Sequence, residues 1–184
     1  GIDINYYVRV NYTSLIKLID AIGGVTVDVP VSFYYALDHT YFAEGPQHMD
    51  GQTAMKFVRE RKSFANGDND RIHNQQIVLT AIIEKMISPT IITNYTKILG
   101  AVEGSFETNM ETRDITSLIK MQIDKKPKWT IIQKQLSGTP ERSTEGYYMY
   151  GTSIYYTMPD EESIAENKEY IQKVLDGEII EEVD

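Results

Sequence analysis

The sequence lacks several features that define large protein classes. It has no cysteine, which excludes a disulfide framework and any metal site or nucleophile built on a thiolate. It has no hydrophobic run near the roughly 20 residues that a membrane-spanning helix needs; the uncharged stretch 86–96, for example, is bounded by Lys85 and Lys97. It also has no amino-terminal signal peptide, and it begins with Gly1 rather than methionine. We therefore interpret the chain as a fragment of a longer protein.

Basic residues are scarce as well, 18 against 27 acidic residues, which gives a net charge of −9. Broad binding to nucleic acid or to anionic lipid needs a basic surface, so we expect no nucleic-acid partner. The motifs Gly-x-Gly-x-x-Gly, Gly-Lys-Ser/Thr, His-Glu-x-x-His and Gly-x-Ser-x-Gly are absent, which removes support for the common nucleotide, zinc-protease and serine-hydrolase chemistries. The histidines, His39, His48 and His73, stand at no metal-ligand spacing, so we predict no metal ligands in this chain.

What the sequence does contain is a globular composition, with 41% hydrophobic and 24% charged residues. Residues 4–10 are aromatic and β-branched and predict a strand. A helix follows, capped by Asn11 or Thr13 and ended by Gly23-Gly24, and residues 25–29 alternate as a second strand. Strand, helix and strand at this spacing predict an α/β fold, with a mixed central β-sheet flanked by helices on both faces.

The rest of the chain carries helix and strand patterns of the same kind. Residues 32–49 and 106–110 predict loops, and residues 137–149 are rich in turn-forming residues. The predicted elements are helices at 51–61, 69–87 and 91–102, helices beginning at 112 or 113 and at 160–162, and strands at 129–136 and 153–158, followed by an acidic tail at 179–184. We divide the chain into residues 1–110, which carry the arginine-rich stretch, and an α/β portion, 111–184, that packs with it.

Residues 56–76 concentrate the basic side chains, because five of the 18 fall within residues 56–71. The five are Lys56, Arg59, Arg61, Lys62 and Arg71. Arginine presents a planar fork of N–H donors that matches phosphate and carboxylate oxygens, and it stays charged at any working pH. In an acidic protein, such a cluster indicates a site for an anion.

Two arginines of this cluster can share a ligand only under one condition. Asp50 can cap a helix over residues 51–61. Arg59 and Arg61 lie two positions apart, so a continuing helix would point them to different sides. They converge only if the chain leaves the helix near Glu60 or Arg61.

The following segment supplies a third arginine and an apolar surface. Asn66-Gly67-Asp68 predicts a turn, and Asn69 or Asp70 can cap the next helix. Arg71 and Gln75 share one face in its first turns, where free N–H groups and the helix dipole favour an anion. An apolar stripe continues below them, formed by Ile72, Leu79, Ile82, Ile83 and Met86. A cationic rim above apolar walls suits an amphiphile with a phosphate head and a hydrocarbon tail.

Other interpretations of these residues stay open. Glu60, Asp68 and Asp70 could pair with the arginines in a surface ion-pair network, and an apolar stripe at helical spacing also suits a protein core. A further set of aromatic residues could stack on sugar rings or cover the core beneath a long loop, and the second interpretation is favoured because exposed aromatics are common. These aromatic residues are Tyr34, Tyr35, Tyr41 and Phe42.

Taken together, these motifs resemble the signature of the LytR-CpsA-Psr family. The matching residues are Gly45-x-x-x-x-Asp50-Gly51-Gln52-x-Ala54-x-x-x-Val58-Arg59-x-Arg61, then Gly67-Asp68-x-x-Arg71-x-x-x-Gln75-Gln76, and upstream Ile22-Gly23-Gly24-Val25-Thr26-Val27-Asp28-Val29-Pro30. The resemblance spans about residues 1–100, and the later part is similar to the looser carboxyl-terminal region of streptococcal and enterococcal members. It implies a three-layer α-β-α sandwich.

The resemblance also implies an activity. Family members are membrane-anchored, outward-facing phosphotransferases of Gram-positive bacteria that move a teichoic acid or capsular polysaccharide from a polyprenyl-pyrophosphate carrier to peptidoglycan. By this resemblance Arg59, Arg61, Arg71 and Gln75 are pyrophosphate-binding residues, with Arg59 and Arg61 also catalytic. The helix that begins near Arg71 would line the prenyl pocket with Ile72, Leu79, Ile82 and Ile83.

One part of the family pattern is not found in this sequence. The family's amino-terminal half carries an Arg-Ser-Asp-Thr-like segment and a Pro-Arg-Asp segment, which bring Mg²⁺-binding carboxylates, and nothing in residues 1–184 matches them. The resemblance therefore implies Mg²⁺ as a cofactor, with its ligands and the membrane anchor outside this chain. We expect an incomplete fold with one sheet edge or face left open, in a chain that lacks residues the family uses for metal binding and turnover.

More than one interpretation stays open for the role of Asp68 and for the function of the chain. Asp68 is a candidate base or arginine-orienting residue, and equally a turn-capping residue. The chain could instead be a polyprenyl-phosphate-binding or glycopolymer-binding module without turnover. It could also be a transcriptional regulator, which the net charge and the lack of a basic recognition helix disfavour.

Overall fold

The structure, a computed structural model, describes residues 2–64, 67–145 and 149–178. Its helices are α1 (Tyr12–Ala21), α2 (Gly51–Arg59), α3 (Asp68–Met86), α4 (Pro89–Thr93), α5 (Tyr95–Ala101), α6 (Thr112–Lys125) and α7 (Glu161–Leu175). Its strands are β1 (Val8–Val10), β2 (Val25–Val29), β3 (Phe33–Tyr34), β4 (Tyr41–Phe42), β5 (Gly45–Met49), β6 (Phe106–Thr108), β7 (Gly138–Ser143) and β8 (Ile154–Pro159). The predicted acidic tail at 179–184 lies outside the described residues.

The chain forms two compact units. The first consists of Ile4–Trp129 and contains α1 to α6, and the second consists mainly of the residues from Thr130 onward, with β7, β8 and α7. The predicted division of the chain after residue 110 stays a prediction. All of the arginine-rich stretch falls within the first unit.

The α/β class that the sequence predicts is confirmed, but the strands are arranged differently from the prediction. In the described residues they pair two by two, always antiparallel, as β1 with β6, β2 with β5, β3 with β4 and β7 with β8. The strand β2 has one covered face. Its residues alternate between buried valines and exposed Thr26 and Asp28, which is the pattern of a strand with one covered face.

The core of the first unit is built from α1, α2, α3 and the β2–β5 ladder. An aromatic cluster lies at its centre, where the ring of Phe33 is 4.8 Å from Phe42 and 5.8 Å from Phe57. Phe42 and Phe57 are fully buried. This cluster packs the end of α2 against the β3–β4 hairpin. It therefore holds in place the end of α2, where the arginine-rich stretch begins.

Local signals in the amino-terminal third predicted their elements well. Asn11 caps α1, as one of the two proposed caps, by accepting the N–H of Ser14 at 2.9 Å. Gly23 and Gly24 end this segment with φ angles of 77° and 79°, a conformation that glycine adopts at little cost. The strand predicted at 4–10 is shorter, since β1 covers Val8–Val10.

Two predicted loops contain strands instead. Residues 32–49 include β3, β4 and β5, and β6 lies within 106–110. The sequence of β5, Gly-Pro-Gln-His-Met, has little strand propensity, but β5 pairs along all five residues of β2. Pairing with a distant partner decides these strands, and propensity within the segment does not reveal that partner.

The carboxyl-terminal predictions were partly wrong. The helix predicted at 91–102 is broken at Asn94 into α4 and α5. Residues 129–136 form no strand, and β7 lies instead in the segment 137–149 that was predicted to be turn-rich. The strand β8 and the helices α6 and α7 agree with the prediction within one or two residues.

Gly51 gives a testable prediction about how α1 and α2 pack. A Cβ atom at Gly51 would collide with the Ile16 carbonyl oxygen and would lie 2.8 Å from the Ile16 Cα. The Gly51 N–H also donates to the Asp20 carboxylate at 2.7 Å. We expect Gly51→Ala to lower the free energy of unfolding by about 1–3 kcal/mol, because the two helix backbones must move apart.

Urea denaturation would measure this change, with Gly100→Ala in α5 as the matched control. A Cβ at Gly100 meets no atom within 4 Å, so that variant should be unchanged or more stable by about 0.5–1 kcal/mol. Equal unfolding midpoints for the two variants would contradict the close approach of α1 and α2.

Candidate functional site

The condition for convergence of Arg59 and Arg61 is met. The α2 helix ends at Arg59, and Glu60 has an extended backbone with φ −65° and ψ 135°. The predicted Asp50 cap of α2 is confirmed, since its carboxylate accepts the Thr53 N–H at 2.7 Å. The chain therefore changes direction between the two arginines, and both side chains line the same cavity.

This cavity, which we call the cationic cavity, has a volume of about 420 Å³. All four residues that the resemblance assigns to pyrophosphate binding line it: Arg59, Arg61, Arg71 and Gln75. Its other lining residues are Tyr12, Tyr35, Ala36, Leu37, Val58, Glu60 and Lys62. Several N–H donors from two helices and the intervening turn thus converge on a space large enough for a diphosphate group.

Arg71 enters the cationic cavity from the first turn of α3. Asp68, the first residue of α3, holds it through a contact of 2.6 Å between Oδ1 and the Arg71 Nη2. The Arg71 Nε is buried and has no hydrogen-bond partner among the described residues. Since buried N–H groups are nearly always paired, this donor suits an acceptor supplied by a ligand.

Asp68 itself does not line the cavity, so its geometry suits orientation of Arg71. The predicted cap of α3 was wrong in position. Its N-cap is Gly67, with φ 52° and no side-chain cap, so the helix begins before Asn69 and Asp70. The left-handed φ at Gly67 lets the chain turn into α3 without a capping side chain.

The ion-pair alternative accounts for part of the cluster only. Arg71 pairs with Asp68, and Lys56 pairs with Asp38 at 2.7 Å. Among the described residues, none places a carboxylate within ion-pair distance of Arg59, Arg61 or Lys62. The Arg59 guanidinium instead lies 5.3 Å from the centre of the Tyr12 ring. These three cations therefore keep their charge available for an anion.

An apolar cavity of about 540 Å³ adjoins the cationic one. Its lining residues are Val10, Asn11, Tyr12, Leu15, Val58, Gln75, Val78, Leu79 and Ile82. The two cavities share Tyr12, Val58 and Gln75, so they have a common wall. Gln75 donates weakly to the Val58 carbonyl at 3.4 Å, which leaves its amide able to turn to a better partner.

The predicted prenyl-pocket residues divide between two groups. Leu79 and Ile82 line the apolar cavity, whereas Ile72 and Ile83 are not among its lining residues. The alternative that the stripe belongs to the core applies to Ile82, which is buried, but Leu79 is 57% exposed. The stripe thus contributes Ile82 to the core, while Leu79 forms an exposed apolar surface.

The aromatic residues of the 32–49 segment also divide. Tyr35 and Phe42 are buried, which confirms the interpretation that they cover the core, and Tyr35 also lines the cationic cavity. Tyr34 and Tyr41 are exposed, with ring centres 4.9 Å apart across the β3–β4 hairpin. Their stacking on a sugar stays a prediction.

Tyr12 and the buried Glu60 were missed as site residues by the sequence reasoning. Tyr12 is the first residue of α1, far from the arginines in sequence, and it joins them only in the folded chain. Glu60 carried a signal, since it separates two arginines, but the sequence suggests only an ion-pair partner. In the structure its carboxylate accepts backbone N–H groups.

Lys56 is the member of the basic cluster that lies outside the cationic cavity. Its ammonium group lies between the Asp38 carboxylate and the Thr40 hydroxyl, at 2.9 Å from the latter. Hydrogen bonds lower the pKa of Asp38 from 3.8 to about 2. The bond from Lys56 makes the largest contribution, and the bonds from Thr40 follow. Because the folded-state pKa is the lower one, this contact stabilises the protein above pH 3.8 and the stabilisation is lost as the pH falls to about 2.

An NMR titration of the Asp38 carboxyl group would test that assignment. We expect a midpoint near pH 2 in the wild-type protein, and a midpoint closer to 3.8 in Lys56→Met, where the Thr40 bonds alone remain. A Lys56→Met midpoint equal to that of the wild type would contradict the contact.

The described residues do not supply a metal site. Within residues 2–64, 67–145 and 149–178, no group of three or more His, Asp or Glu side chains is placed to hold a metal ion. The expected requirement for Mg²⁺ stays a prediction. In the same part of the chain, no helix combines the length and apolar composition that crossing a membrane requires.

Comparison with known proteins gives a consistent set of relatives. The profile of the LytR_cpsA_psr family matches residues 1–173. A polyisoprenyl-teichoic acid–peptidoglycan teichoic acid transferase, TagU, from Enterococcus faecalis is 30% identical over 176 residues, which are 95% of this chain and 54% of the relative. The chain thus spans about half the length of the curated relatives that it matches.

Solved structures agree with the sequence relatives. Bacillus subtilis TagV matches with a TM-score of 0.75 and 28% identity, over 95% of this chain and 65% of TagV. A protein from Enterococcus faecalis that is named a transcriptional regulator matches with the same TM-score and identity, over 95% of this chain and 60% of its own. With the family match over residues 1–173, these relatives establish that the chain belongs to the LytR_cpsA_psr family.

Proposed function

We propose that this protein takes part in transferring an anionic glycopolymer, such as a teichoic acid or a capsular polysaccharide, from a polyprenyl-diphosphate carrier to peptidoglycan. The observation that carries the proposal is the common wall of the two cavities, at Tyr12, Val58 and Gln75. An amphiphile with a diphosphate head and a prenyl tail needs a cationic space and an apolar space side by side. The name of the Enterococcus relative supports a polyisoprenyl-linked teichoic acid as the donor.

The head group would lie in the cationic cavity. Arg59 and Arg61 approach it from the end of α2 and the following turn, and Arg71 approaches from the start of α3 with its Nε unpaired among the described residues. Each arginine side chain can bind two phosphate oxygens at once, so the three arginines together can neutralise the negative charge of a diphosphate group. The tail would extend along α3 past Leu79 and Ile82.

The reaction is a phosphoryl transfer. A hydroxyl oxygen of the acceptor sugar bonds to the phosphorus that carries the glycopolymer, the anhydride bond breaks, and polyprenyl phosphate leaves with the bonding electron pair while the hydroxyl proton passes to a base. Negative charge grows on the leaving phosphate, and fixed cations stabilise that charge more in the transition state than in the ground state. Asp68 holds Arg71 in place for this role.

A transfer assay tests the proposal. A prenyl-diphosphate-linked oligosaccharide and a peptidoglycan fragment would be supplied with Mg²⁺, and release of prenyl monophosphate would be measured for the complete cellular protein and for its Arg59→Ala/Arg61→Ala variant. We expect release from the first and loss of release in the second. Release at the same rate from both would contradict the proposed role of the arginines. We also propose that the reaction takes place on the outer face of the plasma membrane, as the resemblance to the family implies.

A second candidate function is that of a carrier-binding module without turnover. The observation that supports this candidate is that the chain matches only 54% of the Enterococcus relative. The same assay separates the two functions. Binding of a prenyl diphosphate without transfer, in the chain and in the complete protein alike, would identify a binding module. Transfer by the complete protein alone would identify this chain as part of an enzyme.

The other Enterococcus protein is named a transcriptional regulator, which suggests DNA binding as a third candidate function. The net charge of −9 disfavours DNA binding by this chain. Fluorescence anisotropy with a labelled DNA duplex at near-physiological salt should detect no binding.

A further inference from the structure

Glu60 has an unusual environment for a carboxylate. It lies between Arg59 and Arg61 in sequence, yet it is only 2% exposed. Charged side chains are almost never fully buried unless they are paired. In the part of the chain that the structure describes, no cation lies within ion-pair distance of Glu60, so something else must satisfy its charge.

Four backbone N–H groups satisfy it. The Oε1 atom accepts from Arg61 at 2.8 Å, from Lys62 at 2.6 Å and from Ser63 at 3.0 Å. The Oε2 atom accepts from Ala36 at 2.7 Å. Burial alone would raise the pKa of Glu60, but these donations outweigh it and hold the pKa below its ordinary value. The group is therefore a stable carboxylate inside the wall of the cationic cavity.

The first three bonds shape the turn that follows α2. Three successive N–H groups point at one oxygen, so residues 61–63 must wrap around the Glu60 carboxylate as the chain leaves the helix. Among the described residues, the N–H groups of Arg61, Lys62 and Ser63 donate to no backbone carbonyl, so the Glu60 carboxylate is the acceptor that holds them. The direction in which the Arg61 side chain leaves the turn thus depends on Glu60.

The fourth bond ties the turn to the opposite wall. Ala36 lies in the hairpin between β3 and β4, and it lines the cationic cavity together with Leu37. A second link runs parallel to it, where the Ser63 hydroxyl donates to the Tyr34 carbonyl at 2.7 Å. The two walls of the cavity are therefore held at a fixed separation by hydrogen bonds that converge on Glu60 and Ser63.

We infer that Glu60 is a positioning residue for the diphosphate site: its carboxylate orders residues 61–63 and the β3–β4 turn so that Arg59 and Arg61 face one ligand. It acts through the backbone, since both of its carboxylate oxygens accept backbone N–H groups. This inference rests on the proposed function, because it names the group that preorganises the same anion site.

The test variant is Glu60→Gln. Glutamine keeps the shape of the side chain, but it replaces one acceptor oxygen by an NH₂ group that would face a backbone N–H, so it cannot hold both the turn and Ala36. Removing a negative charge beside an anion site would, by charge alone, strengthen anion binding. Loss of preorganisation weakens it instead. The sign of the change thus separates the two effects.

The measurement is calorimetric titration with two ligands, farnesyl diphosphate and farnesol, at a temperature at which circular dichroism shows each variant to be folded. We expect Glu60→Gln to bind farnesyl diphosphate at least about tenfold more weakly, which corresponds to about 1.4 kcal/mol, and to bind farnesol within about twofold of the wild type. Glu84→Gln, an exposed glutamate on α3, is the matched control and should change neither affinity.

Each other outcome has a definite meaning. Unchanged or stronger binding of farnesyl diphosphate by Glu60→Gln overturns the inference, and so does an equal loss for both ligands, which would show a general structural role. If the wild type binds farnesyl diphosphate and Arg59→Ala weakens this binding at least about tenfold, the proposed function survives that failure. If the wild type binds none, the proposed function fails, and the inference fails with it.

A measurement on the wild type covers the case in which Glu60→Gln does not fold. Amide hydrogen exchange should show protection at Ala36, Arg61, Lys62 and Ser63, since each donates to a buried carboxylate. Fast exchange at residues 61–63, equal to that of exposed loop amides, would overturn the inference without any variant.

Discussion

Arg59→Ala is expected to weaken the binding of prenyl diphosphates while leaving the protein folded. Arg59 lines the cationic cavity, is exposed, and has no carboxylate partner among the described residues, so its guanidinium is available to a ligand. A charge-assisted hydrogen bond contributes about 1.5–3 kcal/mol, which corresponds to a loss of roughly 10- to 100-fold in affinity. In transfer, where the leaving charge is concentrated, the loss should reach about 10²–10³-fold.

The stability of that variant is the internal check. Surface substitutions away from buried networks change the free energy of unfolding by no more than about 0.5 kcal/mol, and we expect Arg59→Ala to fall within that range in urea denaturation. Its matched control is Arg9→Ala, because Arg9 is an exposed arginine of the same compact unit that pairs with Glu107 at 3.2 Å. An unfolded Arg59→Ala protein, or an equal affinity loss in Arg9→Ala, would contradict a dedicated anion site.

Leu79→Gln should separate the tail from the head of the ligand. Leu79 lines the apolar cavity from α3 and is 57% exposed, so the change should leave the fold intact. Burying a leucine side chain contributes about 1.5–3 kcal/mol, so the affinity for farnesyl diphosphate should fall roughly 10- to 100-fold. The affinity for inorganic pyrophosphate should stay unchanged, since that ligand has no tail. Competition titration with both ligands measures the difference.

Ile83→Gln is the control that tests whether the tail binds in the apolar cavity or along the whole predicted stripe. Ile83 lies four residues further along α3 and belongs to the predicted stripe, but it does not line the apolar cavity. We therefore expect a smaller effect from Ile83→Gln than from Leu79→Gln. A larger effect would mean that the tail follows the exposed face of α3 and bypasses the cavity.

Much of the site could be predicted because its residues are close in sequence. Arg59, Arg61, Arg71 and Gln75 fall within 17 positions, and the rule that a helix must end between two residues to make them converge requires no tertiary information. What ties the turn after α2 to the opposite wall of the cationic cavity could not be predicted. Glu60 acts by accepting the N–H of Ala36, which lies 24 positions away on a hairpin that the sequence pattern did not reveal.

The same distinction between local and distant interactions applies to the fold. Asn11, Gly23-Gly24 and Asp50 act on neighbouring backbone groups, so their side-chain chemistry alone indicated where α1 and α2 begin or end. The strands β5 and β6 exist because distant partners, β2 and β1, offer their free edges. Their own sequences resemble loops, and only the pairing makes them strands.

The proposed function requires that one site bind a diphosphate head and a prenyl tail together. Calorimetric titration of the wild-type chain with farnesyl diphosphate, in EDTA and again with Mg²⁺, tests it most directly when repeated with inorganic pyrophosphate or farnesol present. We predict saturable binding to a single site that either competitor weakens, because each occupies one of the two joined cavities. Absence of binding under both conditions, or binding that pyrophosphate does not weaken, would contradict the proposed function.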